Sequence, residues 1–167
     1  MNIADICTKN VRTCHPESDI AAAAVIMWET DCGAVPVLDD GGKLVGVVTD
    51  RDISIAVATR KNLAAETPVK DVMSGKVATC GIGDSVQGAL KIMREAQIRR
   101  LPVLDENGKL RGIVSVNDII LAIRETKTKA VKETLLQELM LTLMAISQNR
   151  RPHGMALAES RSMLPRT

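Results

Sequence analysis

Two short patterns in the chain place a hydroxyl and a carboxylate three residues apart: Thr49-x-x-Asp52 and Ser115-x-x-Asp118. Each stands where an apolar run gives way to a segment with helical spacing, so each suits a helix start. There the hydroxyl can accept from a backbone N–H while the acid complements the helix dipole. The same groups can also hold a ligand. An ionised carboxylate only accepts hydrogen bonds and can take the vicinal hydroxyls of a ribose, and a hydroxyl with nearby free N–H groups can take phosphate. Taken alone the residues favour the cap, and the two roles can coexist. Other chemistry is thinner. The four cysteines, Cys7, Cys14, Cys32 and Cys80, read as reduced core residues rather than disulfide partners. Cys14-His15 has no second histidine near it, since the other is His153, which argues against a zinc site. No P-loop, no Gly-x-Ser-x-Gly and no His/Cys pair at catalytic spacing occurs, so the chain reads as non-catalytic with no required cofactor.

The two patterns are copies of one another. Residues 3–56 align without a gap on 69–122 at a constant offset of 66, pairing Asp5 with Asp71, Pro36 with Pro102 and Asp52 with Asp118. Roughly twenty of about 54 paired positions are identical, which marks an internal repeat. Each copy reads as strand, helix, strand, strand, helix. Val11 to Cys14 and Val77 to Cys80 are short β-type segments. Helices are expected to start near Ser18 and Asp84, with Ile20, Ala23, Ala24, Met27 and Val86, Ala89, Leu90, Met93 at helical spacing. The apolar runs 35–38 and 101–104 read as strands, turned at 39–42 and 105–108 into returning strands 44–48 and 110–114. Second helices begin near Asp50 and Val116. The divisions are 1–60 for the first copy, 61–68 for a polar linker ending in Pro68, and 69–124 for the second. Residues 125–148 carry Val131, Leu135, Leu136, Leu139, Met140, Leu143 and Met144 on one helical face. That helix reads as continuous with the one begun at Val116, and 149–167 as a loose tail.

Bulk properties narrow the choices. A chain of 167 residues suits one compact domain or two small units sharing a core, and each copy alone is marginal, so the copies are expected to pack together. Apolar residues make up 46%, yet there is one Trp and no Phe or Tyr, so the core must be aliphatic. The chain has no apolar run of about 18 residues that would span a membrane, and residues 1–5 lack the pattern of a signal peptide. A cytoplasmic location is the expectation. The net charge of +2 and the absence of stacking aromatics argue against nucleic acid as a partner.

With the motifs quoted in order, the chain resembles a tandem pair of cystathionine-β-synthase (CBS) domains, the arrangement called a Bateman module. The resemblance is carried by Val35-Pro36-Val37-Leu38-Asp39 with Gly46-Val47-Val48-Thr49-Asp50-Arg51-Asp52-Ile53. It is carried again by Leu101-Pro102-Val103-Leu104-Asp105 with Gly112-Ile113-Val114-Ser115-Val116-Asn117-Asp118-Ile119. Asp71-Val72-Met73-Ser74 matches the usual opening of the second copy, and Asp5-Ile6-Cys7-Thr8 is a variant opening of the first. The resemblance covers about residues 3–124. It implies an α+β fold of two pseudo-symmetric β-α-β-β-α repeats packed on each other, here followed by a long amphipathic helix. It also implies a stand-alone regulatory module that binds AMP, ADP, ATP, S-adenosylmethionine or NAD in two clefts and signals to an enzyme, channel or transporter.

By that analogy each cleft joins the acid of one copy to the early strand and pre-proline segment of the other. One would group Thr49 and Asp52 with Ala78, Thr79, Ile98 and Arg99; the second would group Ser115 and Asp118 with Arg12, Thr13, Cys32 and Gly33. Arg100 matches the place from which the family reaches ligand phosphate, and a guanidinium fork suits phosphate oxygens. The plain alternative for Arg99-Arg100 is a solvated pair. The first copy has Gly33 and Ala34 there, so the clefts should differ in phosphate affinity, with Arg51 able to compensate or simply to lie on a helix surface. Trp28, paired with Arg94 across the repeat, is a candidate for a homodimer interface or for ordinary packing. The terminal helix would fold back, pair with its mate, or dock a partner through its Leu/Met face. A rival reading is a structural or interaction protein whose clefts are empty and whose terminal helix does the work.

Overall fold

A computed structural model describes residues 1–60 and 62–148. Its elements are α1 (Ile3–Ile6), β1 (Thr8–Lys9), α2 (Ile20–Glu29), β2 (Ala34–Leu38), β3 (Leu44–Thr49) and α3 (Asp50–Thr59). The second half has β4 (Cys80–Gly81), α4 (Val86–Ala96), β5 (Arg100–Leu104), β6 (Leu110–Ser115), α5 (Val116–Glu125) and α6 (Lys129–Ser147). The fold is mixed α+β with two matching halves, as the repeat implies. The expected loose tail, with Arg150-Arg151 and His153, lies outside the described residues.

Each half is centred on a hairpin. β2 pairs antiparallel with β3, setting Pro36 opposite Val47, and β5 pairs with β6, setting Pro102 opposite Ile113. The turns close because Gly42 and Gly108 take positive φ (75° and 74°), where a side chain would be strained. Asp39 and Asp105 tie the turns, each accepting two backbone N–H bonds on Oδ1 at 2.9–3.0 Å. α2 and α4 each start one residue later than expected. Asp19 caps α2 by accepting from Ala22 N at 2.7 Å, and Ser85 caps α4 by accepting from Gly88 N at 3.1 Å. Ser18 and Asp84 instead brace the preceding turns, accepting from His15 N and Gly81 N.

The segments expected as strands before those helices pair very little. Cys14 makes one isolated parallel bridge to Val37, and only Cys80–Gly81 forms a strand, parallel to β5. Pro16, lacking an N–H, cannot extend the first ladder. Strand character lies earlier, at β1, which pairs with β6 of the other half through Thr8 and Ile113.

This pairing belongs to an exchange of opening segments. Ile3 N donates to Asp84 O and Ala4 N to Ile82 O, and Ile3 and Cys7 are buried in the core of the second half. In return Val69 N donates to Ser18 O, and Val69, Val72 and Met73 pack in the core of the first half. The crossing segments run close at two glycines, against backbone at Gly112 and against the flexible Met73 side chain at Gly46. A Cβ on Gly46 would sit 2.4 Å from Met73 Sδ, and one on Gly112 would sit 2.4 Å from Thr8 O. Residues 62–68 are also more than a tether: Ala64–Glu66 is a 3-10 turn, Thr67 is buried, and its carbonyl accepts from Ile20 N at 2.9 Å.

The last two helices are separate, where the sequence suggests one. Thr126 takes an extended conformation, its hydroxyl donating to Ala122 O at 2.9 Å and its N–H to Ile123 O at 3.2 Å. Neither Gly nor Pro marks the break; a threonine satisfying its own preceding turn does it. α6 then returns along α4. Thr142, fully buried, shares its one hydroxyl hydrogen between Glu138 O (2.8 Å) and Leu90 O (3.2 Å), while Arg94 Nη1 meets Glu138 Oε2 at 2.9 Å. The buried face carries Leu135, Leu139 and Thr142, with Leu143 and Ile146 partly covered. Val131, Leu136, Met140 and Met144, expected on that face, are exposed instead. The helix is apolar over too wide an arc for spacing to choose, and the polar Thr142 hid the centre of the real contact.

A candidate ligand cleft between the two repeats

Both hydroxyl–carboxylate patterns form helix caps. Asp52 Oδ2 accepts from Thr49 N (2.9 Å) and Thr49 Oγ1 (2.7 Å), and Thr49 Oγ1 accepts in turn from Asp52 N (3.2 Å). Ser115 and Asp118 repeat this at 2.7, 2.7 and 3.2 Å. In each box every hydrogen bond to the acid falls on Oδ2, which leaves Oδ1 without a protein partner among the described residues. The cap therefore fixes the carboxylate while keeping one acceptor for a ligand.

At the first box the halves enclose an open cleft of about 910 Å³, within the size range of small-molecule sites. The start of α3 supplies Thr49, Asp50, Arg51 and Asp52 to one side. The second half supplies Lys76, Val77 and Ala78 and the turn before β5, Ile98, Arg99 and Arg100. Ala34, Val47, Pro102 and Ile113 add apolar lining from the hairpins, and Ile146, Ser147 and Gln148 add the end of α6. Arg51, Lys76, Arg99 and Arg100 make no ion pair among the described residues. Four unpaired cations thus share a cleft with two carboxylates. Gly33 borders the same place: a Cβ there would lie 2.8 Å from Asp50 Oδ2 and 3.4 Å from Arg100 Nη2. The missing side chain leaves room for the guanidinium.

Of the first expected group, the structure brings Thr49, Asp52, Ala78, Ile98 and Arg99 together, with Arg100 beside them. Thr79 follows Ala78 but is not among the lining residues. The second group is divided. Thr13 lines a smaller cavity of about 520 Å³ with Lys9, Lys109 and Arg111, and neither cavity is lined by Ser115 or Asp118. Arg12 is engaged by Glu29, and Cys32 Sγ donates to Ala34 O and accepts from Thr30 Oγ1. Gly33 belongs beside the first cleft. Sequence reasoning missed Lys76, Asp50 and the end of α6. Lys76 aligns with Asn10 across the repeat and so had no duplicated signal, and α6 lies outside the repeat altogether.

The cysteines are free thiols placed for packing. Burial pushes Cys14 up to about 11, and burial, then the charges of Asp84 and Cys7, push Cys80 up to about 12. Neither supplies a thiolate near neutral pH. His15 Nε2 lies 3.0 Å from Asp40 Oδ1, and no three His, Cys, Asp or Glu side chains cluster as metal ligands among the described residues. No described helix is long and apolar enough to cross a membrane.

The CBS domain family model matches the chain twice, over residues 3–59 and 69–125. The chain belongs to the CBS-domain family. It is 37% identical over 118 residues to the CBS domain-containing protein YhcV of Bacillus subtilis, covering 71% of this chain and 82% of that protein. Among solved structures it is similar to the CBS domain pair of protein MJ0100 in complex with 5′-methylthioadenosine and S-adenosyl-L-methionine. That match has a TM-score of 0.68 and 29% identity, covering 74% of this chain and 96% of that one. It is also similar to CBSX2 in complex with AMP, with a TM-score of 0.65 and 27% identity, covering 76% and 98%. The residues matched by the CBS model end at 125, before α6 begins.

Proposed function

We propose that this CBS pair is a non-catalytic regulatory module that binds an adenine nucleotide or related adenosyl ligand in the cleft at Asp52 and signals occupancy to a partner protein. One observation carries the reading. A carboxylate fixed by its own cap, on the first repeat, faces the same cleft as Lys76, Arg99 and Arg100 of the second, none of them neutralised by an ion pair. A ribose with a phosphate uses both kinds of group, the hydroxyls on Asp52 Oδ1 and the phosphate on the cations. The relatives crystallised with AMP and with S-adenosyl-L-methionine support that ligand class. The candidates are AMP, ADP, ATP, S-adenosylmethionine and NAD, acting in the cytoplasm on an enzyme or transporter. The Ser115–Asp118 side, without a matching pair of arginines, is the weaker phosphate site.

Thermal unfolding with each candidate at about 1 mM tests the reading. A ligand that binds only the folded chain adds roughly 2.7 kcal/mol of stability at a hundred times its dissociation constant. A raised midpoint that Asp52→Ala removes supports the module; no shift with any of the five sinks it. A second reading, an interaction protein with empty clefts, is favoured by the exposed Leu136, Met140, Leu141 and Met144 of α6, and would survive that negative result. The exposed Trp28 supports a homodimer through α2 under either reading.

A further inference from the structure

The cleft has one wall that lies beyond both CBS repeats. The matched residues end at 125, yet Ile146, Ser147 and Gln148 line the cleft beside Gln97. They stand at the end of α6, and what holds α6 in place lies mostly elsewhere. Glu138 meets Arg94, and Thr142 donates to Leu90 O. None of those four residues lines the cleft. Gln97 joins the two regions: its Nε2 donates to Ala145 O at 2.8 Å, and Gln97 is itself a lining residue. The position of α6 and the shape of the cleft therefore depend on a common side chain.

We propose that the last turn of α6 is part of the ligand site, so that nucleotide binding and the docking of α6 on α4 are thermodynamically linked. The proposal rests on the cleft being a nucleotide site. A ligand shifts an equilibrium only through a difference in its interaction with the two states. With α6 docked, the ligand gains Ile146 and the polar groups of Ser147 and Gln148; with α6 released, that wall is lost. Binding strengthens docking by the same factor by which docking strengthens binding. The charges assign the ends of the ligand. A helix C-terminus carries partial negative charge and unpaired carbonyls, so α6 takes the neutral, amino-bearing part of the nucleotide while Lys76, Arg99 and Arg100 take phosphate. Occupancy is thereby passed to a helix that the repeats do not need for their own hairpins.

The test uses the full chain, with AMP and in parallel S-adenosylmethionine as probes. Amide hydrogen exchange in the last two turns of α6 should slow severalfold when the probe binds. Glu138→Ala should weaken the probe's affinity threefold or more although residue 138 is outside the cleft, because apparent affinity falls with the fraction docked. Met140→Ala, on the exposed face of the same helix, should leave affinity unchanged. If Glu138→Ala does not fold, exchange in the unsubstituted chain decides alone. Binding with unaltered α6 exchange and unaltered affinity in Glu138→Ala overturns the linkage only. Failure of the unsubstituted chain to bind either probe overturns the nucleotide reading, and the linkage with it.

Discussion

At the residue scale, Arg100 and Asp52 separate two kinds of contribution to one site. Asp52 is the N3 half of a capping box, so Asp52→Ala removes a ligand group and also a first-turn acid worth roughly 0.3–1 kcal/mol. The Arg100 side chain makes no hydrogen bond or ion pair among the described residues. Arg100→Ala should therefore leave the unfolding midpoint in place while weakening phosphate-bearing ligands roughly tenfold or more, the scale of one lost charge-assisted hydrogen bond. Calorimetric titration alongside thermal unfolding checks both halves; a variant that loses stability but keeps its affinity would return Arg100 to a structural role. Cys80 gives a prediction of a different kind. Its folded thiol is held up to about 12 against an ordinary 9.0, first by burial. Below pH 9 both states keep the proton and stability does not depend on this group. Between about 9 and 12 the unfolded chain releases a proton that the folded chain retains, so stability falls as pH rises. No tyrosine is present to titrate in that range. Cys80→Ala should lessen the decline in midpoint measured from pH 8 to 10.5, leaving the share of Cys14, which burial raises in the same way, and an unchanged slope would show that other groups cause it.

At the element scale, the two faces of α6 make opposite predictions. Leu135 is buried against the second core, whereas Met140 is 58% exposed. Leu135→Ala should cost about 2–5 kcal/mol in urea unfolding, and Met140→Ala should stay within about 0.5 kcal/mol. Equal losses would mean that the helix packs on a different face. The sequence was a good guide to elements wherever two signals agreed. Gly42 and Gly108 with their preceding acids announced the hairpins, and the duplicated Thr/Ser-x-x-Asp boxes announced α3 and α5. It was a poor guide wherever only one signal was present. The apolar residues of α6 cover too much of its circumference to name an inner face, and Thr126 ends α5 without a glycine or proline. The site divides in the same way. Asp52 was legible because a repeat and a family pattern both mark it, and Arg99 because the family pattern alone does. Lys76 and Gln148 became visible only once folding had brought distant segments to one cleft.

At the scale of the whole molecule, the asymmetry between halves matters more than their likeness. The opening segments exchange places, with Ile3 buried in the second core and Val69 in the first, so neither repeat owns a complete core. The helices that flank the cores are treated differently. α4 is covered by α6, and its Arg94 is neutralised by Glu138. α2, its repeat partner, has no counterpart of α6 over it among the described residues and leaves Trp28 87% exposed and Val25 51% exposed. Its sequence, Ile-Ala-Ala-Ala-Ala-Val-Ile-Met-Trp-Glu, is apolar nearly all round, the composition of a helix buried on both sides. A second copy of the chain supplies that cover if the module is a homodimer. Trp28 is also the single tryptophan, so it reports on its own contact. Its emission should shift to the blue as protein concentration rises, in step with the mass measured by sedimentation. Trp28→Arg places on α2 the residue that α4 carries at the same position, so the variant should fold and remain monomeric where the unsubstituted chain associates. If the unsubstituted chain stays monomeric up to about 1 mM, the roughly 4 kcal/mol that such a concentration represents exceeds anything this face contributes, and α2 is left as a docking surface for the regulated protein.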